Sequence, residues 1–479
     1  MMKTFAIAVA LAASAIASPA ENVQKRASSI TPVTVKGNAF FAGNERFYIR
    51  GVDYQPGGAS DAKDPIADEA GCKRDIAEFK KLGINTVRIY TVDNSANHDT
   101  CMGLLAEAGI YLALDLNTPK YSINRADPQQ SYNKVYLQSI FATVEMFAKY
   151  DNTLLFFSAN EVINDDKTTN CAPYVKAVTR DIKSYMNARG LRKIPVGYSA
   201  ADVESNRYEM ADYMNCGDDA ARSDFFAFND YSYCDPSSYT ISGWDQKVAK
   251  FSNYSIPIFL SEYGCNKNTR KFSEVESLYS TKMTGVYSGG LVYEYSQEDS
   301  NYGLVDLKGN SVTERDDFKA LMSAFAGTKN PSGDGGYKSN GAKSQCPNKS
   351  KTWDVTMKAD ELPAVPLAHP TSSRTVLERV LVLPVTDPRL LALRRLTLLV
   401  LVMALLPLVV LFPPVLPSPV VPRALLPVYT LPSSALRPLF AALLSLFHHS
   451  LVVLLSCKRC IAGCLSRKSR FNHIYITFL

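Results

Sequence analysis

Tryptophan is nearly absent, with 2 in 479 residues, and histidine is scarce at 5. So few histidines, with cysteines at spacings that match no zinc-ligand pattern, give no reason to expect a metal site. Lys/Arg runs interleaved with aromatics are also missing. The net charge of +6 is spread along the chain, so a nucleic-acid surface is not expected. No Gly-rich phosphate loop follows the first apolar segment, which argues against a doubly wound nucleotide-binding sheet. No organic cofactor is implied.

Tyrosine is plentiful, at 26. The opening "MMKTFAIAVALAASAIASPAENVQKR" carries Lys3, an apolar run, and small residues at Ser18 and Ala20. That is the pattern of a secretory signal, expected to end near Ala20, with Lys25-Arg26 as a second processing site. Secretion makes disulfides possible. Seven of the ten cysteines lie in the body: Cys72, Cys101, Cys171, Cys216, Cys234, Cys265 and Cys346. An odd count leaves one thiol over. Sequons at Asn253 and Asn348 suit surface glycosylation.

Eight short segments, β-branched and aromatic, recur along residues 46–296: 46–54, 85–92, 109–116, 152–160, 194–200, 225–233, 256–264 and 289–296. Most are apolar on both faces, as buried parallel strands are. Amphipathic stretches lie between them. Residues 68–83 place Ile76, Phe79 and Leu82 at helical spacing before a Gly stop, and 131–150 and 172–190 behave likewise. Eight strands alternating with helices predict an α/β fold of the (β/α)8 TIM-barrel type over 27–326. Residues 327–366 read as a short Gly/Ser/Asn-rich extension. Residues 367–455 turn Leu/Val/Pro/Arg-rich and nearly acid-free, and 396–412 has the apolar length of a membrane span. No fold is expected for 367–479. Serine codons read one base out of phase give this texture, so a frame error or retained intron after about Pro366 is the expectation it raises.

A barrel does its chemistry at the C-terminal ends of its strands. Acids that fall there are Asp53, Asp93, Asp115, Asp202, Asp230 and Glu294. Any one of them singly reads as a barrel-end ion pair. Glu161, closing "LLFFSANE", and Glu262, in "FLSEYG", are different. They end the fourth and seventh segments, which face each other across a barrel mouth. Glycosidic cleavage needs such a pair, one carboxyl protonated and one ionised. Asn160, beside Glu161, suits a hydrogen bond to a sugar 2-hydroxyl. Tyr90, Tyr231 and Tyr293 end segments and offer flat faces for sugar rings.

The motifs "RGVDYQPGG", "LGINTVRIYTVD", "NTPKYSIN", "FSANEV", "SAADVESNRYEMADYMNCGD", "FFAFNDYSYC", "FLSEYGCN" and "GGLVYEYSQE" resemble the fungal GPI-anchored β-1,3-glucanosyltransferases, the glucan-elongating family of the cell wall. The likeness is dense over residues 30–326. It implies Glu161 as acid/base and Glu262 as nucleophile. It implies glucan contacts at Tyr90, Asn117, Lys120, Tyr121, Ser122, Asn124, Arg125, Asn160, Asp202, Arg207, Tyr231 and Tyr293, although Asp202 and Arg207 could instead pair with each other. It implies the disulfides Cys72–Cys101, Cys216–Cys346 and Cys234–Cys265, leaving Cys171 over. The expected partners are β-1,3-glucan donor and acceptor chains. A monomer is expected, secreted to the cell surface or wall and tied to the membrane only through a GPI anchor. Two departures stand out: no cysteine-rich glucan-binding module follows the barrel, and no Ser-rich stretch precedes a GPI signal. A plain endo-β-1,3-glucan hydrolase would use the same two glutamates.

Overall fold

The computed structural model describes residues 30–58, 63–358 and 361–366. The expected signal segment and the tail from residue 367 lie outside the described residues.

Eight parallel strands close into a barrel: β1 (Ile49–Asp53), β2 (Thr86–Ile89), β3 (Tyr111–Asp115), β4 (Thr153–Asn160), β5 (Val196–Ala201), β6 (Phe225–Asp230), β7 (Ile258–Tyr263) and β8 (Tyr287–Val292). Each pairs with the next, and β8 returns to β1 through the register Gly289 with Ile49 to Val292 with Val52. The strands are buried on both faces, the consequence of their unalternating apolar sequences. All eight fall on the expected segments. The seam from β8 to β2 is tight enough to require glycine. A Cβ on Gly51 would lie 2.1 Å from the Thr86 carbonyl oxygen, and one on Gly289 2.1 Å from that of Ile49.

Helices wrap this barrel with one apolar face inward. In Glu69–Leu82 the buried stripe includes Ile76, Phe79 and Leu82. The Asp68 side chain caps its first turn by accepting from the Ala70 and Gly71 amides, and Gly83 ends it in the left-handed conformation. Lys134–Phe147 and Ala172–Arg189 pack in the same way, the latter also ending at a left-handed glycine, Gly190.

A three-stranded antiparallel sheet (Val33–Lys36, Ala39–Ala42, Glu45–Phe47) precedes β1. Phe40 from this sheet contacts Phe225 and Phe259 at ring-centroid distances of 6.2 and 5.8 Å, and Phe157 meets Phe225 at 5.4 Å. These rings come from β4, β6 and β7. The sheet therefore plugs the N-terminal end of the barrel with a dry aromatic floor, and the chemistry is left to the opposite end.

The disulfides join Cys72 to Cys101, Cys216 to Cys346 and Cys234 to Cys265, the pairs that the resemblance implies, and Cys171 is a free buried thiol. The second bond spans 130 residues, a loop closure worth about 5 kcal/mol in the chain-entropy model. It ties the extension to the barrel. Trp353, further along, is fully buried and packs its ring 5.6 Å from Tyr213. Among the described residues no helix is long and apolar enough to cross a membrane.

Candidate active site

At the C-terminal mouth lies a cleft of about 440 Å³. Its walls include Tyr90, Asn117, Ser122, Asn124, Arg125, Asn160, Glu161, Glu262 and Tyr293. The volume is that of a small-molecule site.

The architecture beneath the cleft starts from one residue. Arg88, in the middle of the apolar strand β2, is fully buried. Its guanidinium lies 4.3 Å from the Tyr90 ring centroid and 4.5 Å from that of Phe157. Every N–H it owns is used. Nε donates to Asp115 Oδ2 at 2.8 Å and Nη2 to Asp115 Oδ1 at 3.3 Å. Nη2 also reaches Asn160 Oδ1 at 3.0 Å. Nη1 serves the Ser261 carbonyl at 3.1 Å and Glu262 Oε1 at 3.2 Å. Burial works against its charge, but Asp115, Tyr90, Asp53 and Glu262 together hold it well above the usual arginine value. A buried cation is tolerable only with such a full set of partners.

Glu262 is surrounded by donors. Its Oε1 accepts from Arg88 and from the Tyr90 hydroxyl at 2.8 Å, and its Oε2 accepts from the Tyr231 hydroxyl at 2.7 Å. Burial raises both tyrosines well above the ordinary value, so their hydroxyls stay protonated and donate. Burial also pushes the Glu262 carboxyl up to about 7. Arg88 pulls it down, the Glu161 charge pushes it up again, and the two tyrosines lower it.

Glu161 follows β4 with φ of +47°, in the left-handed region that a residue with a Cβ enters at a cost of about 1–3 kcal/mol. The turn is held by its own amide on the Ser199 carbonyl at 2.9 Å, and by Arg125 on its carbonyl oxygen at 2.5 Å. Its Oε1 accepts from the Asn229 amide at 2.8 Å. Asn229 is fixed in turn by Ser261, whose hydroxyl donates to its Oδ1 at 2.8 Å. Asn160 accepts from Ser199 at 2.7 Å as well as from Arg88. Two buried acceptor or donor atoms at the cleft, Asn117 Oδ1 and Ser122 Oγ, have no hydrogen-bond partner.

The expected site residues divide. Tyr90, Asn117, Ser122, Asn124, Arg125, Asn160 and Tyr293 share the cleft wall with both glutamates. Tyr231 stands behind Glu262 and within a ring trio: 6.4 Å from Tyr293 and 5.5 Å from Tyr302, which lie 5.3 Å from each other. Lys120 is exposed, and Tyr121 packs edge-on against Tyr136 at 5.4 Å. Asp202 and Arg207 bind each other, and Lys247 bridges Asp202 to Asp230 at 2.8 and 2.6 Å. That is the ion pair foreseen as their alternative. Asp230 also accepts from Trp244 at 3.0 Å. Asp93 only caps a turn at Ser95. Arg88, Asn229, Ser199, Ser261 and Tyr302 were not expected. A lone arginine inside the apolar run "NTVRIYTV" was the one available signal, because a cation there must have buried partners.

A (β/α)8 barrel with two glutamates at one sugar-sized mouth, one of them wrapped in donors, defines a carbohydrate-active enzyme. The sequence profile of the glucanosyltransferase family, glycoside hydrolase family 72, matches residues 22–329, and the chain belongs to that family. It is 66% identical over 366 residues to the 1,3-beta-glucanosyltransferase gel1 of Aspergillus fumigatus, covering 76% of this chain and 80% of that protein. It is 55% identical over 347 residues to the 1,3-beta-glucanosyltransferase GAS5 of Saccharomyces cerevisiae, covering 71% of each. A mutant of Saccharomyces cerevisiae Gas2, crystallised with laminaritetraose and laminaripentaose, superposes with a TM-score of 0.64 at 36% identity, over 70% of this chain and 75% of that one.

Proposed function

We propose that this enzyme is a retaining β-1,3-glucanosyltransferase. It cleaves an internal β-1,3-glucan bond and joins the new reducing end to the non-reducing end of a second glucan. The observation that carries the assignment of roles is the unequal surroundings of Glu161 and Glu262 in one cleft. Each Glu262 oxygen accepts from a donor, which works for the carboxylate against the burial that raises it to about 7 and holds the group in place for attack. On Glu161, Oε1 accepts from Asn229, a single donor against the three on Glu262, and Oε2 is the oxygen we assign to the glycosidic oxygen.

In the first step a Glu262 oxygen attacks the anomeric carbon. The glycosidic bond breaks, and its oxygen takes the Glu161 proton. The reducing-end fragment leaves, and the remaining glucan is held as an ester of Glu262. Glu161, now ionised, removes the proton from an acceptor 3-hydroxyl, which attacks the same carbon and releases Glu262. Two displacements at one carbon retain its configuration. Asn160 meets the 2-hydroxyl, and the ring faces of Tyr231 and Tyr293 seat sugars. Asn117 and Ser122, unpartnered inside the cleft, supply further hydroxyl contacts.

The expected outer-face location extends this reading. Asn253 and Asn348 are exposed, as glycan acceptors must be. Secretion, a GPI anchor and a monomeric state belong to the same proposal. The test mixes a laminari-oligosaccharide donor with a labelled acceptor. Labelled products longer than the donor are expected. Only shorter chains and free sugar at high acceptor concentration would make this a hydrolase. Glu161→Gln and Glu262→Gln should each lose several orders of magnitude in rate, because the barrier loses a participant. Near-normal transfer by either variant would overturn the roles.

A further inference from the structure

The loop after β3 serves two concavities. Asn117, Ser122, Asn124 and Arg125 wall the cleft. Residues 126–129 wall a second pocket of about 320 Å³, within the range of small-ligand sites. Its far side comes from the loop after β4 and the start of Ala172–Arg189, and its rim from the extension at residues 354–357. Both loops leave the C-terminal ends of strands, so the pocket lies on the face that carries the two glutamates. Arg125 is the ridge between pocket and cleft. Its guanidinium donates to the Glu161 carbonyl at 2.5 Å. Its own carbonyl accepts from the Cys171 thiol at 3.5 Å, beside Asn170 in the far wall. One residue of chain, about 3.8 Å from Cα to Cα, therefore parts the two sites. A chain that leaves the cleft over Arg125 enters the pocket.

The lining selects the ligand. Tyr174 is half-buried, and Tyr132 props its ring edge-on at 6.0 Å. Around it stand Asp127, Gln129, Asn170, Asp354 and Thr356, all exposed. A ring among amides, a hydroxyl and carboxylates is what a neutral, polyhydroxylated chain needs. The two carboxylates disfavour an anion, and the polar side chains disfavour an apolar guest. The carboxylates are also engaged, Asp127 with the Gln130 amide at 3.3 Å and Asp354 with Lys349 at 2.5 Å. Among the described residues no three His, Cys, Asp or Glu gather to hold a metal. The rim is anchored as well. The Asp354 amide donates to Thr169 Oγ1 at 2.9 Å, Trp353 beside it is fully buried, and Arg180 holds the Pro363 carbonyl at 2.8 Å. A wall fixed in advance loses little ordering entropy on binding.

We propose that this pocket is a distal subsite for a β-1,3-glucan chain lying in the cleft, with Tyr174 as its sugar platform and the extension as its outer wall. The inference rests on the reading of the cleft as a glucan site. The pocket lies beyond Arg125, away from the reacting bond. It therefore adds affinity for long chains and leaves the chemical step unchanged.

The experiment measures initial rates on laminari-oligosaccharides of increasing length, varied first as donor and then as acceptor. It compares wild type with Tyr174→Ala and with the double variant Gln129→Ala, Asn170→Ala, whose side chains are exposed. Both variants should match wild type on the shortest oligosaccharide turned over. On long chains their KM should rise about tenfold at unchanged kcat, the size of one lost sugar contact. The series in which the rise appears, donor or acceptor, identifies the chain that reaches the pocket. No change at any length overturns the subsite. An equal rise at all lengths also overturns it, since that marks a structural role. Wild type that cleaves these chains without lengthening any refutes the transferase reading and leaves the length test readable from cleavage. Wild type inert to all of them refutes both.

Discussion

Glu262→Gln should alter how stability depends on pH as well as activity. Burial holds this carboxyl at about 7 against an ordinary 4.5, so the folded protein binds this proton more tightly than the unfolded chain. The native state is therefore favoured below pH 4.5 and loses that advantage as pH rises through 7. Moving the group from 4.5 to about 7 is worth roughly 3 kcal/mol, at about 1.4 kcal/mol per tenfold change in proton affinity. Glutamine does not titrate. It disturbs the bonds from Arg88, Tyr90 and Tyr231, but that penalty is nearly the same at every pH and cancels in a comparison across pH. Urea unfolding of both proteins at intervals from about pH 4 to pH 8 reads the difference directly. Relative to the variant, wild type should lose roughly 3 kcal/mol, most of it between pH 5 and 7. A flat difference would mean that the three donors fully offset burial. A wild type that gained on the variant as pH rose would mean that they more than offset it, and the description of Glu262 as burial-dominated would be wrong.

Tyr231→Phe removes the donor to Oε2 and should move the acid limb of kcat/KM to higher pH, since the carboxylate loses a bond that favours its charge; a limb that stays or moves down refutes this. Trp353→Ala should cost about 3–5 kcal/mol in unfolding free energy by opening a cavity against Tyr213, while cutting the chain near Ala364 should leave transfer activity and the thermal transition intact. Cys171 is buried, with burial pushing its thiol up to about 11. It should resist thiol reagents in the native protein and react only in denaturant, as mass spectrometry would show.

The barrel strands were legible because most are apolar on both faces, the pattern of a doubly covered parallel sheet. The plugging sheet was not, because strands of three and four residues carry too little alternation to register. The two glutamates could be found from their places at strand ends. Their support could not: Arg88 reaches Asn160 across 72 residues and Glu262 across 174, and no local pattern encodes bonds between strands that distant. Asp202 and Arg207 show the converse. Five residues apart, they satisfy each other, and their spacing already contained that answer.

The aromatic floor built by Phe40, Phe157, Phe225 and Phe259 closes the end of the barrel opposite the two glutamates, so every glucan is handled at one mouth. The acceptor takes the place beside Glu161 that the departing fragment has left. The departing fragment and the incoming chain therefore cannot be handled as a through-flow. They take turns, and the enzyme between them carries the unfinished glucan as its own modification. Kinetics should show parallel double-reciprocal lines, and the released fragment, returning to the place it has just left, should compete with the acceptor.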